Sequence, residues 1–224
     1  MAKFTPKPRE KTVLDDPKLK LIAEKLPGAD RPPTFHLYMA GNNPRIDVYT
    51  NLPNDRNNGL IRAAIDVRVM YTILVILQKL ADTDDAGPYT IENKEHIWKD
   101  NQRSKDPVVS SRLVIGKDKE GRIYAALLAY DAERPKVRFY FGMPYYHALT
   151  RGNGEKLTDA EISVWAARAY VEAIKGLYPA VANIQYEHKT ATPQGDNKQN
   201  SFQRNTAPAA KSNNNDDWGD DLPL

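Results

Sequence analysis

Cationic and aromatic side chains alternate along several stretches of this sequence. The stretches contain Lys136, Arg138 and Tyr140; Arg122, Tyr124 and Tyr130; Lys94, His96 and Trp98; and, nearer the N-terminus, Arg45 with Tyr49 and His36 with Tyr38. Residues two apart lie on the same face of a β-strand, so each set would project from one face of a sheet. Such a face could neutralise phosphates with its cations and stack nucleobases on its rings.

This pattern predicts a surface that binds unpaired nucleic acid. Any one pair could instead belong to the polar face of a half-buried sheet, because β-strands favour tyrosine. The repetition of the pattern over several strands favours the binding surface. We therefore predict the following nucleic-acid-binding residues: Arg45, Tyr49, Arg62, Lys94, Trp98, Arg112, Arg122, Tyr124, Lys136, Arg138 and Tyr140.

Alternation with a period of two also predicts the strands that must carry these residues. The predicted elements are a hairpin over 34–50, a strand over 60–65, a strand over 89–98, a hairpin over 112–130 and a strand over 136–141. Turn residues separate the two arms of each hairpin, at Gly41–Pro44 in the first and at Asp118–Gly121 in the second.

A capped amphipathic helix is predicted after the first group of strands. Asp66 is its N-cap, and an apolar stripe with a period of 3.6 residues continues to about Leu80. A short helix over 16–26 is predicted near the N-terminus, with Asp16 as its cap and Pro17 at its first position.

A second long helix is predicted after the later strands. Thr158 and Glu161 have the spacing of a capping box, and Trp165 lies on the apolar stripe that follows. Gly176 and then Pro179 predict its end.

These elements predict an α+β fold with antiparallel β-sheets and two long amphipathic helices. Both halves run from strands into a helix, which indicates tandem units of four strands and a helix over 34–82 and 89–178. The alternative is an OB-fold with additions. Around this core, 34–190, we expect a basic, proline-rich N-terminal arm over 1–33 and a disordered linker with an acidic tail over 191–224.

The composition argues against several kinds of site. The chain has no cysteine, which excludes disulfides, thiolate zinc sites and cysteine nucleophiles. Its four histidines lack metal-ligand spacing, so we expect no metal, no cofactor and no enzymatic activity. No apolar run is long enough to span a bilayer, and the N-terminus lacks the apolar segment of a secretory signal. A cytoplasmic protein without a membrane partner is therefore expected.

The C-terminal residues 216–224 combine negative charge with an apolar end. The predicted partner-binding residues are Asp216, Asp217, Trp218, Asp220, Asp221, Leu222, Pro223 and Leu224. The formal net charge of the chain is +3, and without these four aspartates it would be +7. A basic body with an acidic tip indicates a polyanionic partner, for whose surface the tip can compete.

The ending Asp220-Asp221-Leu222-Pro223-Leu224 resembles the C-terminal peptide of bacterial and phage single-stranded DNA-binding proteins, although those usually end in phenylalanine. The resemblance implies that the tail recruits replication and recombination proteins. The predicted order of strands and helices resembles the Whirly and positive-cofactor-four class of single-stranded nucleic-acid binders. The OB-fold alternative is the fold of the bacterial single-stranded DNA-binding proteins.

Pattern and resemblance together predict a non-specific single-stranded DNA-binding protein of phage DNA replication and recombination, located in the host cytoplasm. A homodimer is considered as its assembly, because many sheet-based binders close a sheet edge in this way. One alternative is an RNA-binding protein or transcription cofactor that uses the same sheet. Another is a recombination or annealing mediator, or a nuclease.

Overall fold

Each of two antiparallel sheets is followed by a long helix in the computed structural model, which confirms the predicted α+β class. The structure describes residues 11–96, 98–99, 102–131 and 133–185. These residues belong to one compact unit, Met1–Glu187.

The first sheet is a meander in which consecutive strands are neighbours. Its strands are β1 (Leu21–Ile22), β2 (Thr34–Ala40), β3 (Asn43–Tyr49) and β4 (Leu60–Ala64). β2 and β3 form the predicted hairpin, which turns at Gly41 with a φ of 59°. Glycine adopts this left-handed conformation without steric cost. α1 (Val67–Asp82) follows, and Asp66 caps it as predicted by accepting a hydrogen bond from the amide of Val69.

The second sheet has the same meander order with a small insertion. After β5 (Tyr89–Glu95), the chain forms a separate hairpin of β6 (Trp98–Lys99) and β7 (Gln102–Arg103) and then returns as β8 (Val108–Lys117), β9 (Ile123–Ala129) and β10 (Phe139–Tyr140). α2 (Asp159–Gln185) begins with the predicted capping box. The Thr158 amide donates to Glu161 Oε2 at 2.9 Å, and the Glu161 amide donates to Thr158 Oγ1 at 3.3 Å.

Both sheets therefore follow the order predicted for tandem units, four strands and then a helix, but the limits of the units differ. The first unit begins at Leu21 instead of Thr34, and the second extends to Gln185. The predicted N-terminal arm over 1–33 is corrected accordingly, since β1 pairs with β2 and Leu14 is buried. Residues 1–10 of that arm and the tail over 191–224 lie outside the described residues.

The predicted helix over 16–26 is wrong. Two short 3-10 turns, Val13–Asp15 and Pro17–Leu19, precede β1 instead. Asp16 still acts as a cap, because its carboxylate accepts a hydrogen bond from the Lys18 amide at 2.9 Å. An isolated helix of this length is marginal in water, so pairing Leu21 with its partner in β2 stabilises the segment more.

Two predicted strands are shorter than expected. β5 ends at Glu95 after a register shift between Asn93 and Lys94, so Trp98 belongs to the separate hairpin. β10 contains only two residues instead of the predicted 136–141, because the preceding segment is bonded to another loop through Arg134.

α2 passes Pro179 and ends at Gln185, although the sequence predicts a stop. Its buried stripe consists of Ala167, Val171, Ile174, Tyr178 and Val181. Proline removes one helical hydrogen bond, but burial of side chains on both sides of Pro179 compensates for that loss. Trp165, predicted to lie on the stripe, is exposed. In the part of the chain that the structure describes, no helix is long and apolar enough to cross a membrane.

The inner faces of both sheets and the two helices enclose one apolar core. Phe35 of β2 and Phe139 of β10 meet there with their ring centroids 5.7 Å apart. From α1 the core receives the predicted residues Met70, Ile73, Leu74, Leu77 and Leu80. Full burial of one such side chain contributes about 1.5–3 kcal/mol. The core therefore fixes which face of each sheet points outward.

Candidate nucleic-acid interface

Four of the predicted binding residues lie together on the outer face of the second sheet. Tyr124 of β9 pairs in register with Tyr140 of β10, while their neighbours Ala125 and Phe139 point into the core. Because side chains alternate along a strand, both tyrosines point away from the core. Two arginines, each two residues from one of these tyrosines, reach the same face. We call Arg122, Tyr124, Arg138 and Tyr140 the cation–ring cluster.

The four side chains of this cluster are in contact in the order Arg138, Tyr124, Tyr140, Arg122. The Cζ atom of Arg138 lies 4.8 Å from the ring centroid of Tyr124, and that of Arg122 lies 4.3 Å from the ring centroid of Tyr140. The two rings meet edge to face, with centroids 6.1 Å apart and an interplanar angle of 67°. A guanidinium group over a ring is stabilised by about 0.5–1 kcal/mol at an exposed site.

Arg122 is held in place by an acid. Its Nε and Nη2 atoms both lie 2.8 Å from Oδ2 of Asp118, in the turn between β8 and β9. Burial would raise the pKa of Asp118, but hydrogen bonds from the amide and side chain of Arg122 lower it below its ordinary value. The charge of Arg122 is therefore largely compensated, and its main contribution is to fix the position of the Tyr140 ring.

Arg138 and Lys136 are the uncompensated cations of this face. Both are exposed, and within the described residues no carboxylate lies at ion-pair distance from either one. One side of the Arg138 guanidinium covers Tyr124, which is only 7% exposed. The prediction that Tyr124 offers an open stacking ring is therefore corrected: Arg138 covers the ring and presents its own other side to solvent.

A buried ion pair positions the segment that carries these two cations. Arg134 donates from Nε to Asp55 Oδ1 at 3.0 Å and from Nη2 to Asp55 Oδ2 at 2.9 Å. It also donates to the main-chain oxygens of Leu60, at 3.0 Å, and Arg56, at 3.1 Å. We call this set of bonds the Arg134 clasp. It joins the segment before β10 to the loop before β4, and no sequence pattern identifies it.

The clasp depends on an ionised Asp55. Burial would raise the pKa of this carboxyl group, but hydrogen bonds from Arg134 and from the Thr50 hydroxyl lower it below its ordinary value. Both side chains of the ion pair are less than a tenth exposed, 8% for Arg134 and 7% for Asp55. Burial of both partners makes the pair costly to break from one side.

The outer face of the first sheet is organised differently. His36, Asp47 and Arg62 lie opposite one another in register on β2, β3 and β4. Arg62 donates from Nε and from Nη2 to the two Asp47 oxygens, each at 2.7 Å, and the Tyr38 hydroxyl donates to Asp47 Oδ2 at 3.0 Å. Hydrogen bonding to Asp47 raises the pKa of Arg62. Arg62, predicted to bind DNA, is thus paired with a carboxylate that is 2% exposed.

The rings of this first face are also buried, which corrects the predicted polar face of β2. His36 stacks on Tyr38 with ring centroids 4.8 Å apart, and its Nε2 atom lies 2.9 Å from the main-chain oxygen of Leu14. Burial lowers the pKa of His36, since the charged imidazolium is disfavoured there. Burial also raises the pKa of Tyr38, and the nearby Asp47 charge adds to that effect.

Two further predicted cations lie on the second sheet away from the cluster. Arg112 of β8 and Lys94 of β5 share one acid, Glu92: Arg112 Nε lies 3.1 Å and Lys94 Nζ 3.8 Å from its carboxylate oxygens. Together the three side chains carry a single net positive charge. They can attract a polyanion only weakly in comparison with Arg138 and Lys136.

The remaining predicted residues are not brought to the cluster. Arg45 and Tyr49 lie on the outer face of the first sheet, where Arg45 is half-buried and Tyr49 is exposed. Trp98 lies on β6, in the separate hairpin, and its side chain is outside the described part of the chain. The predicted partner-binding residues over 216–224 also lie outside the described residues.

The most exposed aromatic pair of the described chain is absent from the residues predicted to bind nucleic acid. Tyr145 is 94% and Tyr146 89% exposed, in the loop after β10, with their ring centroids 5.2 Å apart. The His147 amide closes a turn around them by donating to the Pro144 oxygen. Two adjacent aromatics between a proline and a histidine in a loop are the only signal that could have identified them.

The chemistry that the described residues offer is binding by cations and rings. No group of three or more His, Cys, Asp or Glu side chains in this part of the chain could hold a metal ion. Comparisons with protein-family models, with curated proteins and with solved structures find no match for this chain. The geometry of the cation–ring cluster and the sequence are therefore the two indications of what this protein binds.

Proposed function

We propose that the protein binds single-stranded DNA without sequence preference, through the outer face of its second sheet. The observation that carries this proposal is the position of Arg138: an exposed guanidinium group without an acid partner, fixed over the ring of Tyr124. A free surface arginine would normally sample many orientations. Here the ring below and the Arg134 clasp nearby limit the orientations that it can adopt.

The arrangement suits an unpaired base. A guanidinium group is planar and stacks on aromatic faces, so the solvent side of Arg138 can receive a nucleobase while Tyr124 supports the other side. The guanidinium group of Arg138 would then lie between the Tyr124 ring and the base. Duplex DNA cannot make this contact without unpairing, since its bases already stack on one another. Stacking is tolerant of sequence because every base has a π-face.

The cations beside the stack would hold the phosphates. Lys136 is exposed two residues from Arg138 and has no acid partner among the described residues. Each phosphate that a cation neutralises releases condensed counterions, so the logarithm of the binding constant should fall by about 0.7 per contact for each tenfold rise in salt. The net charge of +3, which would be +7 without the four tail aspartates, adds long-range attraction.

We further propose that residues 216–224 recruit proteins of phage replication and recombination in the host cytoplasm. The support is the sequence: four aspartates followed by the apolar Leu222-Pro223-Leu224. A chain that lacks 216–224 should fail to co-purify with replication proteins from infected cells. It should also bind DNA more tightly at low salt, because it loses four negative charges. Unchanged co-purification and unchanged affinity would refute the role of the tail.

A fluorescence-anisotropy titration tests the main proposal. Labelled single-stranded DNA and a duplex of the same sequence are titrated with the full chain over a series of salt concentrations. We expect tighter binding of the single strand, with affinity that falls linearly on a log–log salt plot. Absence of binding in dilute buffer, or a preference for the duplex, would overturn the proposal. Competition between poly(dT) and poly(U) of equal length distinguishes DNA from RNA as the ligand.

A further inference from the structure

The outer face of the second sheet continues beyond the cation–ring cluster to another aromatic side chain. Strands β8 and β9 pair without a register shift. The pairing runs from Lys117 opposite Ile123 to Ser111 opposite Ala129. The Tyr130 amide then donates to the Ser110 oxygen at 3.1 Å, which extends the ladder by one residue. Tyr130 is six residues from Tyr124, so it points to the same face.

Tyr130 differs from the rings of the cluster in its exposure. It is 71% exposed, whereas Tyr124 is covered by Arg138 and Tyr140 is half-buried beside Arg122. Its ring is therefore available for stacking without displacement of another side chain. Six residues of a β-strand span about 20 Å, which places Tyr130 well away from the cluster.

The surface between these two points is apolar and has cations on its flanks. Between Tyr124 and Tyr130, the outward residues of β9 are Ala126, which is only 4% exposed, and Leu128, which is half-buried, and neither carries a charge. Arg112 of β8, whose charge is partly compensated by Glu92, lies opposite Leu128 on one side. On the other side, Lys136 and Arg138 belong to the segment that leads into β10. A single strand requires cations beside its phosphates and uncharged surface beside its bases, and the edge formed by Lys136 and Arg138 supplies the cations.

A path across the strands is less favourable than a path along β9. In the row that contains Tyr124, the next outward position on β8 is Gly116, which has no side chain to offer. In the row that contains Leu128, a strand that crossed β8 would next meet the carboxylate of Glu92, paired with Arg112 at 3.1 Å. A carboxylate repels phosphates, so the charges favour the direction along β9.

We propose that Tyr130 is a second base-stacking position and that the DNA strand lies along β9, from the cation–ring cluster to Tyr130. This inference rests on the proposed function, since it assigns a path to the same ligand on the same face. It predicts two stacking positions about 20 Å apart. A short oligonucleotide can occupy only one of them, while a longer one can occupy both.

An oligonucleotide-length series tests the path. Fluorescein-labelled oligothymidylates from about 4 to about 16 nucleotides are titrated with the full-length wild type, Tyr130→Ala, Tyr130→Phe and Arg138→Ala. Arg138→Ala should weaken binding at every length. Tyr130→Ala should leave the shortest oligonucleotide unaffected and weaken the longest by between about 5-fold and about 150-fold, the range of one lost stacking contact. Tyr130→Phe keeps the ring and should bind like the wild type at every length.

The outcomes separate this inference from the proposed function. If the wild type binds oligothymidylates but Tyr130→Ala binds every length equally well, the path along β9 is wrong and the proposed function stands. An equal loss at all lengths also contradicts the path, because it would place Tyr130 at the same position as Arg138. If the wild type binds none of the oligonucleotides, the proposed function itself fails. Because Tyr130 is mostly exposed, its variants should unfold at the same temperature as the wild type, which thermal denaturation checks.

Discussion

The outer faces of the two sheets carry the same kinds of residue in opposite arrangements. On the first sheet, Arg62 is bonded twice to Asp47 and the rings of His36 and Tyr38 are buried. On the second sheet, Arg138 covers a tyrosine ring and has no acid partner within the described chain. One face uses its cation to satisfy a buried carboxylate, and the other leaves Arg138 without a carboxylate partner among the described residues.

A single acid makes this difference. Asp47 lies between His36 and Arg62 in the register of the first sheet, so the charge of the arginine is neutralised inside the protein. On the second sheet Arg138 precedes Phe139, which pairs with Ala125, and the next residue along β9, Ala126, has the uncharged Val114 as its partner on β8. An alternating basic and aromatic pattern can therefore encode either an internal polar network or a binding surface. The residue opposite in the neighbouring strand determines which of the two forms.

The largest expected loss of stability comes from breaking the Arg134 clasp, which joins the segment before β10 to the loop before β4. Arg134→Ala leaves Asp55 charged, buried and without its partner, so the free energy of unfolding should fall by about 3–5 kcal/mol. Urea denaturation measures this change. Arg134→Lys keeps the charge but not the two-pronged geometry, and should be intermediate. A fall of less than about 1 kcal/mol in Arg134→Ala would show that the clasp contributes little.

The next largest effect is expected on the first sheet. Both Arg62 and Tyr38 donate hydrogen bonds to the Asp47 carboxylate. Asp47→Asn removes the negative charge of that group and should lower the free energy of unfolding by about 1.5–3 kcal/mol. The cost is smaller than for the clasp because the Arg62 side chain is 42% exposed and can be hydrated. DNA affinity at low salt should stay equal or rise, since a cation is released. Loss of affinity in a stable Asp47→Asn protein would contradict our comparison of the two faces.

The third effect separates binding from stability. Arg138→Ala should weaken single-stranded DNA binding by about 1–3 kcal/mol, while the free energy of unfolding falls by no more than about 1 kcal/mol, the contribution of the guanidinium group over the Tyr124 ring. Arg138→Lys should keep the salt dependence but lose the stacking contribution. Arg62→Lys, on the other sheet, serves as the matched control and should leave DNA binding unchanged. Anisotropy titrations of the three variants measure these differences, and equal losses from Arg138→Lys and Arg62→Lys would remove the distinction between the faces.

The smallest effect concerns pH. Because burial lowers the pKa of His36 below the unfolded value of 6.5, the unfolded state binds more protons as pH falls. The contribution of His36 to the free energy of unfolding should be greatest above pH 6.5 and should decrease as the pH falls below that value. Nearby Lys20 favours the neutral ring, while Asp15 and Asp47 oppose that effect. His36→Gln should abolish this part of the pH dependence in urea denaturation, and an unchanged dependence would assign it to other groups.

Local signals predicted the two long helices and most strands of this chain. Asp66 and the pair of Thr158 and Glu161 act as caps where the sequence predicts them, because caps depend on residues three apart. The end of α2 was missed, since packing of Tyr178 and Val181 compensates for the proline between them. A stop signal such as Pro179 depends only on neighbouring residues, whereas burial depends on contacts with distant parts of the chain that a local pattern does not reveal.

The candidate site was predicted in part. The alternation of side chains along each strand predicted that Arg122, Tyr124, Arg138 and Tyr140 lie on the exposed face of a sheet. The structure brings these four side chains into contact. The pattern could not show that Arg62 would be neutralised, because the register that sets Asp47 opposite it is unknown from a single strand. Nor could it show the Arg134 clasp, whose partners are more than 70 residues away in sequence, Asp55 at 79 and Leu60 at 74.

The Arg134 clasp also bears on the entropy of binding. A loop that carries DNA-contacting cations usually has to be ordered when its ligand arrives, and that ordering subtracts from affinity. Four hydrogen bonds from one guanidinium group already restrict the residues beside Arg138 in the free protein. If a nucleotide strand binds this surface as we propose, part of the entropy cost of ordering its cations has already been met during folding.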